Sequence, residues 1–580
     1  MITTKVEISP YDNSRIAVWS DYRLKESVKA VPGAKWENDN RVWSVPLSWP
    51  SCLALRSQLN EGLEIGPALS SWAFDERRTK HHLRELRGEK LLSLPDFQLD
   101  PVFEGCYPHQ LSGAVAISIA GQYALFDETG AGKGRTALGG LKLLEEDAPF
   151  PVLIIAPKSM LITWARDEIP RFFPDAKVSV VAGTPAKIRD ALVEGFDFYV
   201  CSYDTARRYS RHAGYATVKL TDEERVEREL NKLKFRTVLV DEAHRIKNPT
   251  SKQTRAIWYL GHKAEFRICL TGSPIQDTPE DLWSILHFLS PTEYPAKTAY
   301  VDRFLLVDYN IWGGREVKGL NPLTEPEFRA NAETRFRRVT KEVALPFLPK
   351  KLNQARWVEL PPKMRKAYDD MVRIMVAELE GGTHVEAQSV LDRATRLIQL
   401  ANASGEMDEH GQFWMKLPSP KIEAFLDDVG DGDFEGKQVV VFSDSRQLID
   451  LLDQEMVRKK IPHTAITGAV TGDDRQKAMD EFQSGAVPFI LITRAGGEGI
   501  TLTAASVMVR LTRSWSYIAH TQAEDRVHRI GSEKHESILY VDYITQDTLE
   551  TGVIARLNAK KERATDALGD AELLAMLKGD

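Results

Sequence analysis

Between residues 105 and 290 short apolar runs of strand length recur, each followed by a stretch of helical pattern: QYALFD, PVLIIAP, VSVVAG, DFYVCSY, TVLVDEA and FRICLTGS. Runs that are apolar on both faces do not suit a sheet with one wetted side. They need helices over both faces, which is the parallel α/β arrangement. From 290 to 420 the alternation is lost, and Arg-rich and aromatic segments of helical pattern take over, including AETRFRRVTKEV and a run from Met364 to Ala403. It restarts at KQVVVFSD (437–444) and continues through HTAIT, PFILITR, SVMVRL and ILYVDYI. The chain therefore reads as two parallel-sheet α/β lobes, 105–290 and 421–557, around a helical insertion, 291–420. A charged helical tail follows at 558–580.

Residues 1–66 read as a small α+β domain. KVEIS and RIAVWS alternate as a hairpin turning at Tyr11-Asp12-Asn13-Ser14, and AKWENDNRVWSVPL as a second turning at Glu37-Asn38-Asp39-Asn40. Helices are expected from Asp21 to Lys29 and from about Ser48 to Asn60. Residues 67–104 form a basic connector in which Arg77, Arg78, Lys80, His81, His82, Arg84, Arg87 and Lys90 crowd together. Such a stretch is either a solvated helix face over a Leu83/Leu86 seam or a segment lying along a nucleic-acid backbone.

A chain of 580 residues exceeds one hydrophobic core, and its 43% hydrophobic and 27% charged content is that of a soluble globular protein. The net charge of −7 excludes a protein that coats nucleic acid through its overall charge, so any such contact must come from local patches. Cys52, Cys106, Cys201 and Cys269 form no CxxC pair, which argues against zinc and disulfide frameworks and fits a reducing cytoplasm. MITTKVEISP lacks a signal-peptide pattern, no apolar stretch is long enough to span a bilayer, and no membrane partner is expected.

Two segments carry chemistry. Asp241-Glu242-Ala243-His244 follows the apolar run Val238-Leu239-Val240, so two carboxylates lie at the C-terminal edge of a buried strand, where open α/β sheets bind ligands. One can hold magnesium and the next can polarise an attacking water. Upstream, Asp127-Glu128-Thr129-Gly130-Ala131-Gly132-Lys133-Gly134 sits between a strand and a helix. There backbone N–H groups and a helix N-terminus meet an anion, and Lys133 would neutralise β- and γ-phosphates. Alone, this loop also reads as an ordinary glycine turn; with the acidic strand end it describes a nucleotide-hydrolysing site. Gly134 departs from the phosphate-loop pattern, which has Ser or Thr after the lysine to ligate magnesium. Thr136 is about half a helical turn away. Either a water in the ligand position or a loop that sits differently is the expectation, with slowed hydrolysis as a consequence.

These segments, with those downstream, resemble the Swi/Snf-type DNA translocases of helicase superfamily two, from Tyr107 to Leu557. Tyr107-Pro108-His109-Gln110 resembles the family's adenine-reading element. PKSMLITWARDEIPRF (157–172) resembles motif Ia, CSYDTARR (201–208) motif Ib, DEAHRIKN motif II, and LTGSPIQDTPEDLWSILHFL (270–289) motif III. FRRVTKEVALPFLPKK (336–351) resembles the family's linker. VVVFSDSR (439–446), ITRAGGEGITLTAA (492–505) and QAEDRVHRIGS (522–532) resemble motifs IV, V and VI. DEAH-type RNA helicases fit less well, because they carry Ser-Ala-Thr where this chain has Thr271-Gly272-Ser273.

The resemblance implies two RecA-like lobes and ATP with Mg2+ as cofactors. It implies adenine contact by Gln110, and nucleotide binding by Asp127, Thr129, Gly130, Ala131, Gly132, Lys133 and Gly134. Asp241 would hold the metal and Glu242 activate water, while Gln522, Arg526 and Arg529 complete the site from the second lobe, the arginines as fingers. DNA contacts would come from Lys158, Trp164, Ser202, Tyr203, Ser443, Arg494 and Trp515, the two tryptophans being equally readable as core residues. The implied activity is that of a DNA-dependent ATPase moving along double-stranded DNA as a monomer. An ATP-gated DNA clamp with weak hydrolysis and a motor that displaces bound proteins are alternatives. VPGAKWENDNRVWSVPLS resembles the HARP-type module of annealing helicases, which implies forked DNA, although a plain hairpin with core tryptophans reads equally well. With no nuclear-import cluster, a bacterial or phage-infected cell is the expected setting.

Overall fold

The computed structural model describes residues 4–31, 33–59, 62–86, 101–276, 278–309, 315–332, 334–380, 387–410, 412–468, 473–497, 500–512 and 517–551. It divides into two compact units, one over residues 1–340 and one over 341–566. The expected tail at 558–580 lies outside the described residues. Among them no helix is long and apolar enough to cross a membrane.

The first unit opens with a five-stranded sheet of β1 (Thr4–Ile8), β2 (Arg15–Trp19), β3 (Lys35–Glu37), β4 (Val42–Pro46) and β5 (Leu63–Ile65) in the order β3-β4-β2-β1-β5. Both expected hairpins form, with Ile8 facing Ile16 and Glu37 facing Val42. The parallel fifth strand was not legible, because Leu63–Ile65 is too short to show alternation. Val6, Ile16, Val18, Val45 and Leu55 fill the small core. The connector is a helix, Pro67–Glu85. Its Leu69 enters the N-terminal core while Leu83 enters that of the following lobe. Arg77, Arg78, His81, His82 and Arg84 are exposed over an apolar seam, while Lys80 is buried beside Glu76. Arg87 and Lys90 lie outside the described residues.

The first lobe contains β6 (Gln122–Leu125), β7 (Val152–Ala156), β8 (Val178–Val181), β9 (Phe198–Ser202), β10 (Thr237–Asp241) and β11 (Phe266–Leu270). Each coincides with one of the apolar runs. The sheet is parallel throughout, and both faces are dry. Along β10, Val238 and Val240 enter one core and Leu239 the opposite one; along β7, Leu153 and Ile155 part in the same way from Val152 and Ile154. Each such side chain contributes about 1.5–3 kcal/mol of transfer free energy, which is why strands of this kind read as unbroken apolar runs.

Segment 291–420 is less helical than its composition suggested. A hairpin of β12 (Leu305–Tyr309) and β13 (Arg315–Leu320) precedes β14 (Phe336–Arg337), which adds a seventh strand beside β6. The full order is β14-β6-β11-β10-β7-β9-β8. AETRFRRVTKEV is therefore not one helix. Phe336 packs into the lobe core and Arg337 is buried by a carboxylate partner, so the alternation of a strand wins over helical composition.

In the second unit β15 (Lys350–Val358) pairs along its whole length with the last strand of its sheet, and β16 (Ser404–Met407) with β17 (Phe413–Lys416) makes a hairpin. β18 (Val439–Ser443), β19 (His463–Ile466), β20 (Phe489–Thr493), β21 (Val507–Arg510) and β22 (Ser537–Thr545) are the expected runs. They form a parallel six-stranded sheet in the order β15-β22-β21-β18-β20-β19. Helices Pro362–Glu380 and Ala387–Asn402 are the longest helical stretches of the insertion among the described residues.

Candidate functional site

β6 delivers the chain into the glycine loop. Gly130 (φ +89°) and Gly132 (φ +83°) adopt left-handed backbone, which residues with a Cβ rarely hold, and the helix Lys133–Leu143 starts at the next residue. Gln110 clasps this loop. Its Nε2 donates to the Ala131 carbonyl at 3.0 Å, and its Oε1 accepts the Tyr107 N–H at 3.0 Å. His109 Nε2 lies 2.9 Å from the same Ala131 carbonyl. Lys133 Nζ donates to the carbonyls of Asp127 at 2.8 Å and Glu128 at 3.2 Å. The Thr136 hydroxyl is buried and turned back to the Gly132 carbonyl at 3.3 Å, so it does not stand in for the hydroxyl missing at Gly134.

Asp241 ends β10 beside Leu270 of β11, and both its carboxylate oxygens are engaged. Oδ1 accepts the Glu242 backbone N–H and Oδ2 accepts the Trp164 indole N–H, each at 3.0 Å. Removal from water, with the Glu242 charge adding to it, pushes the Asp241 carboxyl up to about 6, against the Trp164 hydrogen bond and the Lys133 charge. Glu242 itself holds left-handed backbone (φ 54°, ψ 50°), a costly state for a residue with a side chain. The Tyr203 hydroxyl fixes that turn by donating to the carbonyls of Asp241 at 2.5 Å and Glu242 at 3.0 Å. His244 Nδ1 lies 3.2 Å from Glu242 Oε2 and 3.0 Å from Thr271 Oγ1. Thr271 Oγ1 also accepts the Ser273 N–H at 3.1 Å.

The acidic turn and the glycine loop form one cluster. A Cβ on Gly272 would come within 2.6 Å of Thr129 Oγ1 and 3.6 Å of Lys133 Nζ, so glycine lets the segment after β11 close on the loop. Arg338 donates to the carbonyls of Phe126 and Gly272, both at 3.1 Å, and lies 3.6 Å from Glu128. Arg337 Nη2 meets Asp127 Oδ2 at 2.7 Å while its Nη1 reaches Ser112 Oγ at 2.8 Å, all of it buried. Sequence reasoning missed both arginines as supports. The available signal was the pair of charges between Phe336 and Val339, in a segment already assigned to a linker.

For a magnesium ion this site offers the Asp241 carboxylate, with that of Glu242 beside it, and among the described residues no group of three or more His, Cys, Asp or Glu converges. That donor set fits magnesium, which is commonly held by one or two carboxylates together with phosphate oxygens and water. Each Asp241 oxygen accepts one hydrogen bond and keeps a further lone pair for a cation.

The second unit holds Gln522 on the helix Tyr517–Glu524, with Arg526 and Arg529, both half-buried, in the turns beyond it. This segment is anchored by residues the sequence did not single out. Lys341 Nζ pairs with Asp525 and donates to the His528 carbonyl at 2.8 Å. His528 Nε2 lies 2.9 Å from the Pro349 carbonyl, and Lys351 meets Glu524 at 3.0 Å. Arg510, fully buried, joins Glu524 to Asp542.

The expected DNA contacts are redistributed. Trp164 is buried against Asp241, Tyr203 lies under the acidic turn, and Ser443 is buried with its hydroxyl 3.0 Å from Thr512 Oγ1. None of these three presents a surface to a duplex, because each completes a hydrogen bond inside its lobe. Ser202 caps the helix Tyr203–Tyr209. Lys158 and Arg494 are exposed, and Trp515 lies outside the described residues.

Residues 119–406 match the model of the SNF2-related domain and residues 421–531 that of the helicase conserved C-terminal domain. Residues 1–118 lie outside both. The ISWI chromatin-remodeling complex ATPase ISW1 of Saccharomyces cerevisiae is 27% identical over 463 residues, covering 75% of this chain and 38% of that protein. An uncharacterized ATP-dependent helicase of Mycoplasma pneumoniae is 26% identical over 491 residues, covering 83% of this chain and 43% of that protein. The chain thus spans less than half the length of these curated relatives. The Sulfolobus solfataricus SWI2/SNF2 ATPase core in complex with dsDNA aligns with a TM-score of 0.38 at 22% identity, over 83% of this chain and 96% of that one. Two family models in tandem, with the glycine loop and the acidic turn joined in one cluster, place the chain in the Swi/Snf-type ATPase family of helicase superfamily two.

Proposed function

We propose that the protein is a DNA-dependent ATPase that couples ATP hydrolysis to movement along double-stranded DNA. The observation that carries this is the joining of Lys133, Asp241 and Glu242 through Trp164, Gly272 and Arg338, in a chain whose second unit holds Gln522, Arg526 and Arg529 on a braced segment. Lys133 binds the phosphates, Asp241 holds Mg2+, and Glu242, steadied by His244, orients the attacking water. The bound magnesium supplies positive charge to the phosphate oxygens. Arg526 and Arg529 act as fingers when the second unit meets the nucleotide, which makes hydrolysis depend on lobe closure. Grip on DNA is directed at phosphates and tolerant of sequence, with Lys158 and Arg494 the exposed candidates. The four unpaired cysteines support a reducing cytoplasm as its setting, and a monomer suffices for the cycle.

The deciding experiment is ATP turnover without nucleic acid and with single-stranded, duplex, forked and RNA substrates. Stimulation by duplex DNA is expected, and a rate indifferent to every nucleic acid would sink the proposal. The N-terminal domain directs the motor to forks on this reading, supported by the edge-on pair of Trp36 and Trp43, with ring centroids 5.5 Å apart and Trp36 exposed. Deleting residues 1–66 should then weaken fork binding more than duplex binding. A clamp reading draws on Gly134. Lys133→Ala separates the two: equal turnover in wild type and variant favours the clamp.

A further inference from the structure

Gly134 has no conformational need to be glycine, since its φ lies outside the left-handed region and it occupies the first turn of a helix. Its need is spatial. A Cβ built there would lie 3.3 Å from Trp164 Cη2, 3.6 Å from Trp164 Cζ2 and 3.7 Å from Glu168 Oε2. The first of these is tighter than ordinary van der Waals contact, and a serine or threonine would add an oxygen beyond it. The same edge of the indole carries Nε1, which donates to Asp241 Oδ2 at 3.0 Å. One ring thus reaches from the phosphate loop to the acidic turn, where it is 2% exposed. It is delivered there by a π-helical turn, Trp164–Glu168, an irregularity that widens the helix by one residue and is frequent at functional sites.

We infer that Trp164 is a positioning residue that orients the Asp241 carboxylate for magnesium, and that Gly134 is the space that admits its ring. This rests on the nucleotide-site reading above. The exchange is chemical as well as steric. A hydroxyl after the lysine would hold the cation from the loop side; here the loop gives up that ligand, and the indole N–H instead fixes the Asp241 carboxylate. Restraining a carboxylate by a hydrogen bond to one oxygen leaves the other lone pairs aimed in a set direction, and a charge-assisted bond of this kind is among the stronger ones. The arrangement makes a definite claim about coupling: position 134 and position 164 compete for one volume, so their substitutions must not be additive.

The test uses the full chain and a fluorescent ADP derivative, titrated across MgCl2 concentrations. Trp164→Phe keeps an aromatic ring but removes the donor, and should raise the magnesium needed for half-maximal nucleotide binding about tenfold, the equivalent of one hydrogen bond to a charged group. Gly134→Ser alone should raise it as well, by crowding the indole. Gly134→Ser with Trp164→Phe should recover at least half of the loss on a logarithmic scale, because the smaller ring leaves room for a hydroxyl at the cation. Lys133→Ala is the control: if it binds nucleotide as wild type does, the site reading itself fails. If Lys133→Ala is impaired while Trp164→Phe shows the wild-type magnesium requirement, the inference is overturned. A double variant no better than Trp164→Phe overturns it equally. Should Trp164→Phe not fold, Gly134→Ala applies the same question with one methyl group, and an unchanged magnesium requirement there overturns the inference too.

Discussion

Glu242 shows how a single residue is held ready for chemistry. Its left-handed backbone persists because Tyr203 bonds the two carbonyls of the turn and Asp241 accepts the Glu242 N–H. Glu242→Gln should keep nucleotide binding and lower ATP turnover by about 10²-fold or more, the usual range for a lost general base. Asp241→Asn should lower turnover at least as far, because the position after Lys133 has no hydroxyl to share the cation; near-normal steady-state ATPase rates would refute this. Histidines set a second expectation. Burial, with nearby positive charge, pushes His262 down to about 3 and His528 down to about 4. Both stay neutral in the folded chain while the unfolded chain takes up protons below about 6.5. Their contribution to stability is therefore complete above that pH and is lost as pH falls toward 4 and then 3. Thermal melts from pH 7.5 to 5 should show a falling midpoint, and His262→Phe should flatten the slope.

At the scale of elements, the shortest strand in the first lobe connects directly to the site. β14 contributes only Phe336 and Arg337, yet it pairs with β6, and Arg337 neutralises Asp127 at the start of the glycine loop. Removing one partner of a buried pair strands the other charge, so Arg337→Ala should destabilise the first unit by about 3–5 kcal/mol, measured by urea unfolding. This strand also marks where sequence reading stopped. The long strands were legible because being dry on both faces leaves an uninterrupted apolar run, as in Val238-Leu239-Val240. The glycine loop and Asp241-Glu242 were legible because backbone freedom and paired carboxylates have few other uses together. β14 was not, since two residues carry no period and a buried arginine looks like a surface one until its carboxylate is found far away in the chain. The Trp164–Asp241 bond was hidden for the same reason: the residue types fit both a core and a DNA contact, and only the fold brings them together.

In the whole molecule, residues 336–351 serve both units in turn. Arg337 and Arg338 secure the glycine loop within the first unit, and Lys341, Pro349 and Lys351 secure the segment bearing Arg526 and Arg529 within the second. Lys341→Met should raise amide hydrogen exchange across 341–358 and 517–545, and unchanged exchange there would count against the bracing role. The second unit has one further property with practical weight. Among the described residues β15 is the border of its sheet: nine residues long, paired on one side only, with Lys350 through Trp357 exposed. An unpaired strand of that length is a template for another chain to add to, and Leu352 and Trp357 would make it adhesive. Lys350, Lys351 and Arg356 line the same border, Lys351 held by Glu524 and Arg356 by Asp428, so a second copy pairing there would have to desolvate or break these charged contacts. Solubility of the concentrated protein is then a local electrostatic property of this strand. Replacing Lys350 and Arg356 by valine should bring on light scattering at concentrations where the wild type stays clear.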